Sequence, residues 1–285
     1  GEGPLWDTSA NKLLMVDIEG KKVFRYDPEG DSLETVDAPS RVGTVVPIEG
    51  GGVAVALEDG FYRCEFGKEG FSRLAEDPEP DAPTSRFNDG KCDPQGRFWA
   101  GTMAIDPPRG AVGSLYSLSS DGTVKKHLDG ITVSNGIVWT SDGKTMLYID
   151  TPTMEVSAFD FDAESGTISN RRCAYRVPKE HGYPDGCTID ADDRVWIAHW
   201  SGSRVTCVEF DDGMKEGSGK VVSTIPLPAT QITACAFSPS GDLYITSAKA
   251  ELSESELEAQ PRAGSLFRVK GLGVRMAPTH FFKAK

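Results

Sequence analysis

What this 285-residue sequence lacks narrows its chemistry quickly. No stretch approaches the ~18 consecutive apolar residues of a membrane-spanning helix. Basic residues are in deficit: 30 Lys+Arg stand against 43 Asp+Glu, for a formal charge of −13. A nucleic-acid partner needs a basic face, so that class is excluded, and cations or neutral small molecules are favoured instead. No C-x-x-C pair occurs among the six cysteines, and none stands near a histidine at zinc-finger spacing. They read as small buried hydrophobes, which points to a reducing, cytoplasmic setting. The four histidines (127, 181, 199 and 280) are scattered, and G-x-S-x-G is missing, so no serine-hydrolase triad is expected. The EGGG run at 49–52 lacks the flanking strand and helix of a nucleotide loop and reads as a β-turn.

Helical patterning is nearly missing too. Only 250–260 has the helix formers for a turn or two, and Pro261 ends it. Its acidic SESELE run reads as a solvated face rather than a second metal site. With 38% hydrophobic residues the chain still has ample material for a core. Short apolar or alternating runs, broken by Gly, Asn and Asp every 8–12 residues, predict antiparallel β-structure.

Those runs repeat. EGPLWDTSANKLLMVDI (2–18), NDGKCDPQGRFWAGTM (88–103), NGIVWTSDGKTMLYID (135–150), DGCTIDADDRVWIAHW (185–200) and TACAFSPSGDLYITSA (233–248) share one plan. Each has a leading residue, an apolar strand, a tight turn and a second apolar strand. Eleven residues after the leading position stand Leu13, Trp99, Met146, Trp196 and Tyr244. A degenerate sixth copy, VGTVVPIEGGGVAVAL, leads near Val42 or Gly43, and spacings between copies run roughly 40 to 50 residues. That is the period of a four-stranded propeller blade. Each copy is followed by an outer strand, at 23–27, 61–66, 114–118, 156–162, 204–210 and 265–270. The reading is an all-β, six-bladed β-propeller with a central metal-binding channel, one domain over 1–285. Trp6, Trp99, Trp139 and Trp196 take equivalent core places between blades.

The first strand of each blade lines the propeller axis, so equivalent leading residues converge on one ring. Here the ring holds Glu2, Asn88, Asn135 and Asp185, with Thr233 and a small or apolar residue completing it. Two carboxylates and two amides are costly to bury unpaired, and a bound cation removes the cost. All offer oxygen, which suits a hard ion, Ca²⁺ first, with Zn²⁺, Mn²⁺ or Mg²⁺ as alternatives. The bland alternative is a water-filled channel whose polar residues bond strand ends. Loops after second strands, 102–113 with Asp106 and Arg109 and 246–264, are expected to overhang the leading residues. His199, Trp200 and Ser201 end another second strand, with His199 as ready to pack as to act.

GEGPLWD, RFNDGKCDPQGRFWAGTM, SNGIVW, ISNRR, YPDGCTID and GLGV resemble the family of regucalcin (senescence marker protein), gluconolactonase and luciferin-regenerating enzyme. The similarity spans nearly the whole chain. The resemblance implies one divalent metal near the propeller axis, with ligands at the Glu of GE-x-P, the Asn of SNG and the Asp of PDG. These match Glu2, Asn135 and Asp185. The Arg and Asn of RFNDG, here Arg86 and Asn88, are implied to contact substrate or metal-bound water. An acidic residue after GTMA contacts sugar hydroxyls in regucalcin-like members, and the shorter Asp106 stands there. Family members usually carry a strand before GE-x-P that closes the ring; here closure is expected to rest on 264–285.

The function so implied is a metal-dependent lactonase opening sugar lactones, with Asp185 as general base toward a water nucleophile. The expected partner is a small neutral lactone, with no nucleic acid and no membrane, and the expected state is a monomer. Two alternatives stay open: organophosphate hydrolysis of the diisopropylfluorophosphatase type with the luciferin-regenerating branch beside it, or calcium-binding regulation without a dedicated reaction.

Overall fold

The computed structural model describes residues 1–82, 84–211 and 213–284. Among these the strands form six antiparallel sheets, five of four strands and one of three, and in every sheet the neighbouring strands are consecutive in the chain. The six expected copies each supply a first strand: Glu2–Asp7, Thr44–Pro47, Ser85–Cys92, Ser134–Trp139, Tyr183–Ile189 and Ile232–Phe237. Each pairs with its second strand: Lys12–Asp17, Val53–Leu57, Phe98–Ala104, Thr145–Asp150, Val195–Trp200 and Leu243–Ser247. The degenerate copy near Val42 is therefore a full sheet.

Burial falls from the first strand outward. Ser134–Trp139 and Ile232–Phe237 are buried at every residue, whereas the fourth strands Ser32–Asp37 and Lys220–Pro226 are almost wholly exposed. First strands are buried even where they carry polar leading residues, as in SRFNDGKC and SNGIVW, and the exposed fourth strands carry charge. Arg25 pairs with Glu34 across one outer hairpin at 2.7 Å and, as the main cause, holds that carboxyl down to about 2. Ion pairs this exposed add little to stability.

Chain contacts group the residues into two compact units. One comprises Gly1–Pro4, Gly136–Asp162 and Ile168–Pro278. Its cores gather Val138, Leu147, Val195 and Ile197 in one cluster, and Trp196, Phe237, Leu243 and Ile245 in another. The other unit comprises Leu5–Asn135, Ala163–Thr167 and the residues from Thr279. At its centre Phe61 packs against Phe87 and Phe98 with ring centroids 4.8 and 5.2 Å apart. Trp6, Trp99, Trp139 and Trp196 are all buried, but they take two places rather than one: Trp6 and Trp139 lie on first strands, four residues after the leading position, and Trp99 and Trp196 on second strands, eleven after it.

Three expectations shift in detail. The outer strand read at 265–270 contracts to Phe267–Val269, bounded by positive-φ glycines at 264 and 271, and leaves the last sheet with three strands. The helix of 250–260 is Glu254–Ala259 alone, started by a Ser253–Glu256 capping box, exposed except for half-buried Leu257 and finished before Pro261. Five cysteines are buried free thiols, but Cys173 is only half-buried because its strand, Thr167–Arg176, is an outer one. The EGGG run is a turn, closed by Gly51 N donating to Ile48 O. Of the segment expected to close the ring, Lys285 lies outside the described residues, and 267–269 pairs with Leu243–Ser247.

Candidate functional site

In the unit holding residues 136–162, Asp185 lies in Tyr183–Ile189 and is 8% exposed. The ladder with Val195–Trp200 is regular at Tyr183↔Trp200 and Pro184↔His199, then jumps to Cys187↔Ile197. Asp185 and Gly186 thus face Ala198 alone, which is a β-bulge, a device that re-aims side chains. Gly186 is required there. A Cβ on it would come within 2.4 Å of Ala234 Cβ, on the next first strand. Gly136 has the same role one strand earlier, where a Cβ would meet Cys187 Sγ at 2.6 Å. Close approach of successive first strands therefore depends on the residue that follows Asn135 and on the one that follows Asp185.

Ile232–Phe237 breaks register as well, at Thr233, between Ile232↔Ser247 and Ala234↔Thr246. The Thr233 hydroxyl donates to Gly1 O at 2.9 Å, and Gly1 N donates to Ser247 O at 2.9 Å. These bonds fix the backbone beside Glu2, a carboxylate only 7% exposed.

In the other unit, Ser85–Cys92 breaks register against Phe98–Ala104 between Phe87↔Thr102 and Gly90↔Ala100. Asn88 and Asp89 form that bulge opposite Gly101. Arg86 Nη1 donates to Asn88 Oδ1 at 2.8 Å and to Phe87 O at 2.9 Å, and Asn88 Nδ2 donates to Ser134 O at 2.7 Å. Arg86 and Asn88 are 8% and 6% exposed. The structure thus brings this expected pair together and ties it to the residue before Asn135, itself 3% exposed.

Asp106 is not drawn in. It stands exposed on the loop after Phe98–Ala104, whose root is pinned by Ile105 N donating to Thr84 O at 2.8 Å. His199 is a packing residue: wholly buried, it shares a 2.7 Å hydrogen bond with Thr206 Oγ1. Burial, with His181 nearby, pushes its pKa down to about 3, so it stays neutral.

Asp89 escaped the sequence reading. It is 3% exposed, its Oδ1 accepts Gly90 N at 2.7 Å, and burial raises its pKa. The signal was the NDG tripeptide, where the repeat register selected only the asparagine.

Among the described residues no three His, Cys, Asp or Glu side chains cluster as a metal site. Taken singly, the buried carboxylates of Glu2 and Asp185 and the buried amide of Asn135 are oxygen donors of the kind a hard divalent cation takes.

Residues 1–249 match the SMP-30/Gluconolactonase/LRE-like region. The chain belongs to that family. Its sequence is 39% identical to regucalcin of Danio rerio over 285 residues, covering 99% of this chain and 94% of the relative. A solved luciferin-regenerating enzyme superposes with a TM-score of 0.91 at 32% identity, covering 99% of this chain and 95% of that one. A regucalcin from Agrobacterium tumefaciens, described as a calcium-binding protein, gives 0.90 at 26% identity over 99% and 93% of the two chains. The family member described here is an all-β, six-bladed β-propeller with almost no helix. None of its described helices is long and apolar enough to cross a membrane.

Proposed function

We propose that this protein is a divalent-metal-dependent hydrolase that opens sugar lactones. The observation that carries the reading is the break in register at the leading residues, which falls at Asn88, at Asp185 and at Thr233. Ladders are broken at a cost, and bulges gather where side chains must be re-aimed for function. In a six-bladed propeller those equivalent positions surround one axis.

Glu2, Asn135 and Asp185 would hold the ion, Ca²⁺ first, as three oxygen donors with two negative charges. When bound, the ion supplies Lewis-acid stabilisation of charge developing on the lactone carbonyl oxygen. Asp185 takes a proton from the attacking water as the water oxygen bonds to the carbonyl carbon. The ring C–O bond then breaks, and the proton passes to the departing ring oxygen, giving the open hydroxy acid. Arg86, held in place by Asn88, would donate to substrate oxygens. Asp106, on its exposed loop, would accept from a substrate hydroxyl. A neutral lactone enters freely, and its anionic product is repelled by a chain of charge −13. Six free thiols fit a reducing, cytoplasmic setting, and the working state would be a monomer.

The test is hydrolysis of glucono-1,5-lactone, beside a fluorophosphonate, after chelation and with Ca²⁺, Mg²⁺, Mn²⁺ and Zn²⁺ restored singly. Lactone opening lost on chelation and regained with an ion is the expected result. Tight Ca²⁺ binding with neither activity would overturn the reading in favour of calcium binding as the function. Preferential cleavage of the fluorophosphonate would move the reaction to phosphorus.

A further inference from the structure

Tyr183 is the one aromatic among the described large apolar residues that stand exposed, at 51%. A tyrosine combines an apolar ring with a polar tip, which suits it to surfaces that take up a ligand. Its position is specific. Tyr183 begins Tyr183–Ile189, two residues before Asp185, in the regular part of the ladder that ends where the bulge at Asp185 and Gly186 begins. Trp200, half-buried, is its direct cross-strand partner in the antiparallel ladder. Side chains of such partners rise side by side from one face, Cβ atoms about 5 Å apart. The pair is therefore a ledge of two aromatics at the start of the strand that carries Asp185.

The ledge is braced from behind. Pro184, between Tyr183 and Asp185, fixes the local φ and has its carbonyl bound by Thr151 Oγ1 at 2.9 Å. Opposite Pro184 stands His199, buried and tied to Thr206. Tyr183 itself stays open to solvent.

We propose that Tyr183, with Trp200 beside it, is the surface on which the ring of a cyclic polyhydroxy substrate lies. The C–H-bearing face of such a ring is apolar while its rim is polar, so it rests on an aromatic plane while the hydroxyls stay free for directional bonds. Tyr183 is a specificity residue in this scheme: it orients the ring and takes no part in proton transfer. The inference rests on the lactonase reading, and it narrows that reading to saturated six-membered rings with one C–H-rich face.

The experiment measures kcat and KM for glucono-1,5-lactone, and Ca²⁺ affinity by calorimetry, in the wild type, Tyr183→Phe and Tyr183→Ala. Tyr183→Ala should raise KM about threefold to tenfold, the worth of one aromatic stack, with kcat and Ca²⁺ affinity unchanged. Tyr183→Phe should match the wild type, since stacking needs no hydroxyl. An unchanged KM in Tyr183→Ala overturns the proposal, and so does a Tyr183→Phe variant as impaired as Tyr183→Ala. A second measurement keeps this distinct from the lactonase reading. Calorimetric binding of 1,5-anhydroglucitol, which has the ring but no ester, should weaken in Tyr183→Ala whether or not the wild type opens lactones. A wild type that does not bind that polyol overturns the ledge and leaves the hydrolase reading standing.

Discussion

Asp185 and Asp190 lie five positions apart, one near each end of a single strand, and their surroundings differ in kind. Asp190 is wholly buried and accepts from Asp192 N, Arg194 N, Arg194 Nε and Trp196 Nε1, at 2.8 to 3.1 Å. The other unit repeats the arrangement: Asp93, also wholly buried, accepts from Gln95 N, Arg97 N, Arg97 Nε and Trp99 Nε1, at 2.7 to 3.0 Å. Every donor comes from within six residues, so the turn satisfies its own carboxylate. At the opposite end the ladder is broken. There Asp89, beside Asn88, takes one hydrogen bond on Oδ1, and its buried Oδ2 has no hydrogen-bond partner. One end of the hairpin uses its acid to hold the fold together. The other leaves Asp89 Oδ2 buried without a hydrogen-bond partner, at a cost in stability.

Matched substitutions pull the two ends apart. Asp185→Asn should lower kcat for lactone opening by at least about 100-fold, the scale of a lost general base, and leave the melting temperature near the wild type. Asp190→Asn should do the reverse. Removing the charge leaves Arg194 and the Trp196 N–H poorly matched, at about 3 kcal/mol of stability or a Tm fall of roughly 6–12 °C. Turnover per folded molecule should be unchanged. Enzyme assays paired with calorimetric melting read both, and a kcat loss in Asp190→Asn would erase the distinction.

A smaller effect tests the structural end alone. His127 stacks on Trp99 at 3.9 Å between ring centroids, and burial first, then Lys125, pushes its pKa down to about 4 from 6.5. The folded state therefore refuses a proton that the unfolded chain accepts below pH 6.5. Stability from this group is full above that pH and is lost as pH falls toward 4, by about 1 kcal/mol at pH 5 after allowing for partial solvent screening. Chemical denaturation at pH 7 and pH 5 should show a shallower loss in His127→Gln than in the wild type.

The propeller was legible because its signals are local. Strand alternation, turn residues and the eleven-residue step to Leu13, Trp99, Met146, Trp196 and Tyr244 each fit within one hairpin. Even Asp93 and Asp190 were in view, since D-x-x-x-R-x-W occurs at both 93–99 and 190–196, but the aspartates went unread beside the tryptophans. The bulges were not legible. A break in register depends on which residue of another strand is skipped, and neither Asn88 nor Asp185 announces that in its own neighbourhood. The Asn88–Ser134 bond was equally hidden, because it joins residues 46 apart. Asp106 shows the opposite failure. Its place after GTMA identified the loop, but a loop's sequence does not say how far its side chain stands from the strands beneath it.

Gly136 and Gly186 also bear on how this scaffold can change over time. Each sits directly behind a residue assigned to the site, and each has its missing side chain's volume filled by a neighbouring strand. Neither position can acquire a side chain without forcing strands apart, so the floor of the site is closed to variation. New preferences among substrates have to be written at the margins, in the loop carrying Asp106, in the run around the helix Glu254–Ala259, and at Tyr183. Divergence within this fold should keep the same inner residues and change what overhangs them.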